Sequence, residues 1–257
     1  MKILCLMPTY GRPHLVESAI AMFLAQDHPA ADRKLLILDD AGQLPSGNGN
    51  GWTVISTPER FPSLMAKYQA MMAAEGWPVR FEWDAVALMD DDDIYGPRWL
   101  SSHAQALEKS TWSHPRQVWS LHRPPAKSST EPGLEPSGGR FWASAAIRAD
   151  LLQETGGFHE ITRATFDQEH LALWRSVGGE PGRPDKFAPP QYVYGWGRSN
   201  HVSGKMGSAD WYERHSLQAK VASIDLVCPR FDAQSQDVLG RLLCETVAGT
   251  TAFCQAQ

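Results

Sequence analysis

The sequence predicts an α/β fold in which helices flank a mostly parallel sheet. Apolar runs at residues 3–7 and 35–38 are typical of buried strands, and between them residues 13–26 carry apolar side chains at helical spacing. Two such strands joined through a helix lie parallel in one sheet, with a right-handed crossover. The alternation therefore predicts a doubly wound sheet.

The same alternation continues along the chain. Further strands are expected at residues 52–56, 86–89, 118–122 and 141–147, and further helices at residues 63–74, 99–109, 149–154 and 167–177. Two stretches interrupt the pattern, one polar and proline-containing at 123–139 and one rich in glycine and aromatic residues at 193–208. We expect both to be loops, and long loops in compact domains often act as lids or binding loops.

Composition and charge predict a globular protein without membrane spans. The 257 residues are 42% hydrophobic and 21% charged, which is ordinary for one large α/β domain with a substantial core. The formal charge of -5 argues against broad electrostatic attraction to nucleic acid or anionic membrane. The four cysteines lack CxxC spacing, and no apolar run approaches the roughly 20 residues of a membrane span. Since the N-terminus also lacks a signal-peptide pattern, we expect a reduced, cytoplasmic location.

Four consecutive aspartates, Asp90 to Asp93, are the strongest indication of a functional site. They follow the apolar run at 85–89, so they lie where a buried strand emerges at the carboxyl edge of the sheet. Adjacent carboxylates repel one another and stay ionised together only in water or around a hard cation such as Mg2+ or Mn2+. The alternative is a solvated acidic turn in which Asp93 caps the helix that begins near Pro97.

A second acidic pair, Asp39 and Asp40, follows the strand at 35–38. Because this strand and the one before the aspartate cluster are predicted to be parallel, their carboxyl ends belong to the same edge of the sheet. The pair is therefore a candidate for ligand contact. Aspartate is also common in turns before glycine, so a turn role is the alternative.

These segments resemble the motifs of glycosyltransferase family 2, which has the GT-A fold, a Rossmann-like and mostly parallel sheet flanked by helices. The resemblance extends from Ile3 to about Gly204. It is carried by ILCLMPTYGRP at 3–13, LLILDDAG at 35–42, RFPSLMAKYQ at 60–69 and ALMDDDDIYGPRWL at 87–100. The last segment is similar to the metal-binding D-x-D motif of the family.

The resemblance implies one domain over residues 1–231. Its nucleotide half is expected at about 1–95 and its acceptor half at about 96–231, followed by a C-terminal helix or tail at 232–257. The donor would be a nucleotide-diphosphate sugar. The residues implied in donor binding are Pro8, Thr9, Tyr10, Arg12, Asp39, Asp40, Lys67, Asp90, Asp91 and Trp196.

The metal ligands implied by the resemblance are Asp90, Asp92 and His201. Asp92 is favoured for direct coordination, whereas Asp91 and Asp93 are assigned to ribose, to water molecules around the metal or, for Asp93, to a helix cap. The metal would be Mn2+ or Mg2+. A divalent cation bridging the diphosphate stabilises the negative charge that grows as the glycosidic bond breaks.

Residues 166–175, FDQEHLALWR, resemble the base motif of the family at the start of a helix. Matching the Arg175 end assigns the base to Glu169, whereas matching the usual aspartate assigns it to Asp167, and both assignments stay open. Such a base would deprotonate the acceptor hydroxyl in an inverting transfer. The alternative is structural, with Asp167 as an N-cap and Glu169 as a favourable acid in the first helical turn.

The predicted function is a metal-dependent, inverting glycosyl transfer from a nucleotide-diphosphate sugar to an acceptor hydroxyl. The acceptor is a saccharide, a small molecule, a protein or a modified nucleic-acid base, and the sequence does not choose among them. One alternative is a nucleotidyltransferase, which usually has a glycine-rich loop where this chain has PTYGRP. Another is a module that binds a nucleotide sugar without turnover.

Overall fold

The computed structural model describes residues 1–11, 13–120, 133–159 and 165–194. The strands within these ranges are β1 (Ile3–Thr9), β2 (Arg33–Asp39), β3 (Gly47–Asn48), β4 (Trp52–Ser56), β5 (Ala85–Leu88), β6 (Ile94–Tyr95), β7 (Trp112–Ser113), β8 (Gln117–Ser120), β9 (Gly133–Pro136), β10 (Ala146–Arg148) and β11 (Tyr192–Tyr194). The helices are α1 (Pro13–Leu24), α2 (Leu64–Ala74), α3 (Trp99–Leu107), α4 (Ala149–Glu154) and α5 (Phe166–Gly178). Short 3-10 turns lie at Ala30–Asp32, Trp142–Ser144 and Pro184–Lys186.

The main sheet has seven strands in the order β3, β4, β2, β1, β5, β10, β7. Its four central strands, β4, β2, β1 and β5, are parallel to one another. The outer strands β3, β10 and β7 pair antiparallel with their neighbours. This arrangement confirms the predicted α/β class with a mostly parallel sheet.

Helices cover both faces of the main sheet because alternate strand residues point to opposite sides. Ile3, Cys5 and Met7 of β1 pack on one face with α1 and α3, in a core that includes Phe23 and Trp99. Leu4, Leu6 and their neighbours pack on the other face with α2, α4 and α5. The near-continuous apolar sequences of β1 and β2 follow from this burial on both faces.

A second sheet, in the order β6, β11, β8, β9, was not predicted. It corrects the prediction that residues 123–139 form one loop, because residues 133–136 form β9, antiparallel to β8. In β9 the buried positions are held by Gly133 and by Glu135, which pairs with Arg140 at 2.9 Å. A strand without apolar residues at its buried positions gives no period-two hydrophobic signal, which is why the sequence pattern missed it.

Two other predicted boundaries also differ from the structure. Residues 141–147 were expected to form one strand, but Trp142–Ser144 is a 3-10 turn and the strand β10 begins at Ala146. Of the predicted loop at 193–208, residues 193 and 194 belong to β11, and the rest lies outside the described residues. None of the described helices has the length and apolar character needed to cross a membrane.

Candidate active site

The carboxyl ends of β1, β2 and β5 meet at one edge of the main sheet. Thr9 is in register with Asp39, and the pairing of Leu6 with Leu88 brings the acidic residues after β5 next to the end of β1. The helix α1 leads from β1 to β2 on one face, and α2 leads from β4 to β5 on the other. The winding therefore reverses between β1 and β5, which is the point where open α/β sheets bind ligands.

Three carboxylates of the predicted cluster converge at this edge. Asp90, Asp92 and Asp93 each offer one carboxylate oxygen, and these oxygens all lie within 4.8 Å of one another. Asp90 is half-buried, and Asp92 and Asp93 are buried. Oxygen ligands at this spacing suit a hard divalent cation such as Mg2+ or Mn2+. The structure thus brings the predicted ligands Asp90 and Asp92 together and places Asp93 with them.

Asp91 points to β1 instead of joining this group. The Thr9 hydroxyl donates a hydrogen bond of 2.5 Å to Asp91 Oδ2, and both side chains are buried. This bond joins the end of β1 to the acidic turn. Thr9 and Asp91, both predicted to bind the donor, therefore hold each other at the sheet edge.

Asp93 does not cap a helix, so the alternative prediction for it is wrong. The helix α3 begins at Trp99, with Arg98 as its N-cap. Asp93 instead accepts a hydrogen bond from the hydroxyl of Tyr192. At the other end of the acidic turn, the amide nitrogen of Asp90 donates to the hydroxyl of Tyr95 at 2.7 Å.

Asp39 stabilises the turn that follows β2. Its carboxylate accepts hydrogen bonds from the amides of Ala41, Gln43 and Leu44 at 2.7–2.9 Å and from the Ser56 hydroxyl at 2.9 Å. Burial raises the pKa of Asp39, but these four hydrogen bonds outweigh burial and lower the pKa below its usual value. The turn role that the sequence left open is therefore present for Asp39, and its contact with a nucleobase or ribose stays a prediction.

Asp40 and Lys67 form a buried ion pair beside the sheet edge. The Lys67 Nζ lies 2.5 Å from Asp40 Oδ1 and donates to the carbonyl oxygen of Thr9 at 3.1 Å. The other Asp40 oxygen accepts from the amide of Phe61 at 3.0 Å. Burial lowers the pKa of Lys67, and the hydrogen bond and charge of Asp40 oppose that shift. A phosphate that contacts Lys67 must therefore share its ammonium with Asp40.

An arginine that the sequence analysis did not select lies on the ring of Tyr10. The Arg60 guanidinium carbon is 3.8 Å from the centre of the Tyr10 ring, and Tyr10 is 37% exposed. A guanidinium at this distance over an aromatic face is a cation–π contact. Arg60 stands in a segment that resembles the family motif, but nothing in its local pattern distinguishes it from a solvated surface residue.

The two base candidates lie in the first turn of α5. Asp167 and Glu169 are both half-buried, and Glu169 accepts a hydrogen bond from the Thr165 hydroxyl at 2.8 Å. The N-cap of α5 is Thr165, so the alternative that made Asp167 the cap is wrong. Both acids nevertheless lie in the first turn of α5, where their negative charge interacts favourably with the positive end of the helix dipole.

Aromatic side chains pack around Trp142 beside the first turn of α5. The Trp142 ring lies 6.2 Å from that of Phe166 and 5.3 Å from that of His170. Its indole nitrogen donates to the Tyr68 hydroxyl at 3.3 Å. Burial, and next the charge of Asp90, raises the pKa of Tyr68 well above its usual value. Phe166, which precedes Asp167, thus packs in an aromatic core that includes Tyr68, and the charge of Asp90 acts on Tyr68.

Three predicted site residues lie outside the described residues: Arg12, Trp196 and His201. The predicted C-terminal helix or tail at 232–257 also lies outside them.

Comparison with solved structures finds the same type of fold in two glycosyltransferases. The chain is similar to residues 1–349 of S. aureus TarS in complex with UDP-GlcNAc, with 15% identity, a TM-score of 0.59 and coverage of 96% of this chain and 72% of that one. It is also similar to the mannosyltransferase PcManGT from Pyrobaculum calidifontis in complex with GDP-Man and Mn2+, with 16% identity, a TM-score of 0.52 and coverage of 99% and 75%. No family model and no curated protein matches the chain. At these identities the likeness establishes the fold.

Proposed function

We propose that the protein is a metal-dependent, inverting glycosyltransferase that moves a sugar from a nucleotide-diphosphate sugar to an acceptor hydroxyl. The observation that carries the proposal is the convergence of Asp90, Asp92 and Asp93 within 4.8 Å at the carboxyl edge of a GT-A-like sheet. In this proposal residues 1–95 hold the donor and residues 96–231 the acceptor.

The donor side of the proposal rests on residues around the ends of β1 and β5. Asp90, Asp92 and Asp93 would hold Mn2+ or Mg2+, which when bound would neutralise charge on the departing diphosphate. The partly exposed Tyr10 ring offers a stacking surface for the nucleobase, and Arg60 and Lys67 add positive charge beside it. One neighbouring structure holds UDP-GlcNAc and the other holds GDP-Man with Mn2+, so both kinds of nucleotide belong in the test.

The acceptor side requires a base in the first turn of α5. Asp167 or Glu169 would take the proton from the acceptor hydroxyl while the oxygen forms a bond to the anomeric carbon. The bond from that carbon to the diphosphate breaks at the same time, and the diphosphate leaves from the opposite side. The configuration at the anomeric carbon is therefore inverted.

The test is a thermal-shift screen of UDP, GDP and their sugars, each with and without Mn2+. A ligand that binds only the folded protein raises the free energy of unfolding, by about 2.7 kcal/mol at a concentration 100 times its Kd. The melting temperature rises with it. We expect one nucleotide sugar to stabilise the protein strongly only when Mn2+ is present. Release of the nucleoside diphosphate from that donor, by hydrolysis or transfer, would then distinguish an enzyme from a binding module.

Asp92→Asn is the informative variant, and Asp32→Asn is its matched control. Asp32 lies at the opposite edge of the sheet, just before β2, so the control makes the same chemical change away from the site. We expect Asp92→Asn to lose the Mn2+-dependent shift while Asp32→Asn keeps it. Stabilisation by a nucleoside triphosphate with pyrophosphate release would favour a nucleotidyltransferase instead. A lack of stabilisation by any nucleotide would refute the proposal.

A further inference from the structure

Two tyrosines of the second sheet reach the acidic turn that follows β5. Tyr95 in β6 accepts a hydrogen bond of 2.7 Å from the amide nitrogen of Asp90, and Tyr192 in β11 donates one to Asp93 Oδ2. Both side chains are buried, and their ring centres are 5.5 Å apart. The second sheet therefore contacts the acidic turn at Asp90 and at Asp93. Of these two hydrogen bonds, the one from Tyr192 is to a carboxylate and the one to Tyr95 is from a backbone amide.

The direction of the hydrogen bond between Tyr192 and Asp93 follows from the chemistry of its two groups. An ionised carboxylate can only accept hydrogen bonds, so the Tyr192 hydroxyl donates to Asp93 Oδ2. Hydrogen bonds to an ionised acceptor are shorter and stronger than those between neutral groups. The bond from Tyr192 therefore holds the Asp93 carboxylate in one side-chain orientation.

Tyr192 is itself held in place by the pairing of β6 with β11. Tyr192 is in register with Tyr95, and the amide of Gly96 donates to the carbonyl oxygen of Gln191 at 2.7 Å. A Cβ atom at Gly96 would lie 2.4 Å from Gln191 Oε1, so a larger residue at position 96 would displace the Gln191 side chain. The hydroxyl of Tyr192 is thus presented to Asp93 from a fixed support.

We infer that Tyr192 is a positioning residue that orients the Asp93 carboxylate toward a divalent cation. The inference rests on the metal site of the proposed function and adds two assignments to it: Asp93 is a cation ligand, and a strand of the second sheet sets its direction. A carboxylate held beside Asp90 and Asp92 offers the cation a ligand whose rotation is already fixed. Loss of a hydrogen-bond partner behind a metal ligand typically weakens metal binding by about 10- to 100-fold.

The test compares Tyr192→Phe with Tyr95→Phe in the full-length chain. Free Mn2+ is measured by its electron paramagnetic resonance signal during titration, with no nucleotide and then with UDP or GDP. Both variants remove one buried hydroxyl from the same aromatic pair, and only Tyr192→Phe removes the bond to Asp93. We expect Tyr192→Phe to weaken Mn2+ binding about 10-fold or more and Tyr95→Phe to change it by less than about 3-fold.

A double-mutant cycle with Asp93→Asn separates orientation from general loosening. If Tyr192 acts through Asp93, adding Tyr192→Phe to Asp93→Asn weakens Mn2+ binding no further. Additive losses, equal losses in the two tyrosine variants, or unchanged Mn2+ binding in Asp93→Asn would each overturn the inference. The last of these outcomes decides even where Tyr192→Phe folds poorly.

The same experiment distinguishes this inference from the proposed function. Wild-type protein that binds Mn2+ while Tyr192→Phe binds it equally well overturns the role of Tyr192 and leaves the proposed function standing. Wild-type protein that binds no Mn2+, alone or with either nucleotide, overturns the metal site and with it this inference. In that case, an assay of nucleotide-sugar turnover without added metal would test the transferase activity separately.

Discussion

Removing the ammonium of Lys67 tests whether that lysine serves the fold or the donor. The Asp40 side chain is fully buried and the Lys67 side chain is 10% exposed, with 2.5 Å between Asp40 Oδ1 and Lys67 Nζ. At that distance the attraction is about 6–7 kcal/mol for an effective dielectric constant of 20, and desolvation of both groups cancels part of it. We expect Lys67→Met to lower the free energy of unfolding by about 3–5 kcal/mol, because it leaves Asp40 buried without its cation.

The measurement is urea denaturation of Lys67→Met, Asp40→Asn and the double variant at neutral pH. The double variant removes both charges, so we expect it to recover most of the loss seen in Lys67→Met. A loss of 3–5 kcal/mol corresponds to a melting temperature lower by about 6–20 °C in a domain of this size. A loss below about 1 kcal/mol in Lys67→Met would refute the reasoning. Nucleotide affinity of the stable double variant then reports the contribution of Lys67 to donor binding.

Three further predictions concern the base, the stacking surface and two buried histidines. Of the variants Asp167→Asn and Glu169→Gln, one should lower the rate of sugar transfer by about 100-fold or more while still binding donor, as measured by single-turnover kinetics. Small and equal losses in both would place the base elsewhere. Tyr10→Leu should weaken nucleotide binding by about 2- to 12-fold with Tyr10→Phe unchanged, as measured by calorimetry, and equal affinities would exclude stacking on this ring. Burial lowers the pKa of His103 to about 3 and that of His114 to about 4. The stability that the two neutral, buried histidines contribute is fully present above about pH 6.5 and is lost as the pH falls toward those pKa values. Urea denaturation should therefore show the free energy of unfolding falling by about 2 kcal/mol per histidine between pH 7 and pH 5. No loss would show that these side chains are not buried.

Much of the main sheet could be predicted because its strands and helices have strong local signals. The continuous apolar runs of β1, β2 and β5 follow from burial on both faces, and Ser63 predicts the start of α2, where its hydroxyl accepts from the amide of Ala66. The aspartate cluster could be placed at the carboxyl edge for the same reason, since an acidic run directly follows a buried strand. Asp167 and Glu169 were correctly expected in the first turn of a helix.

The second sheet and its contacts could not be predicted from local patterns. Its strands are two to four residues long, and Glu135 lies at a buried position that a hydrophobic pattern does not expect. The bond between Tyr192 and Asp93 joins residues 99 positions apart, and that between Thr9 and Asp91 joins residues 82 apart. Neither pair has a sequence signal, because each side chain is also compatible with an ordinary core or turn position.

The sequence by itself determined the α/β class, the order of the central elements and the edge at which the acidic residues emerge. These follow from hydrophobic periodicity and from the geometry of parallel strands, both of which act over short stretches of chain. Only the tertiary structure decided how each acid is used: Asp39 in a turn, Asp40 with Lys67, Asp91 with Thr9, and Asp93 beside Asp90 and Asp92. The physical reason is that a buried carboxylate takes its role from the hydrogen-bond donors and charges that surround it, and those come from distant parts of the chain.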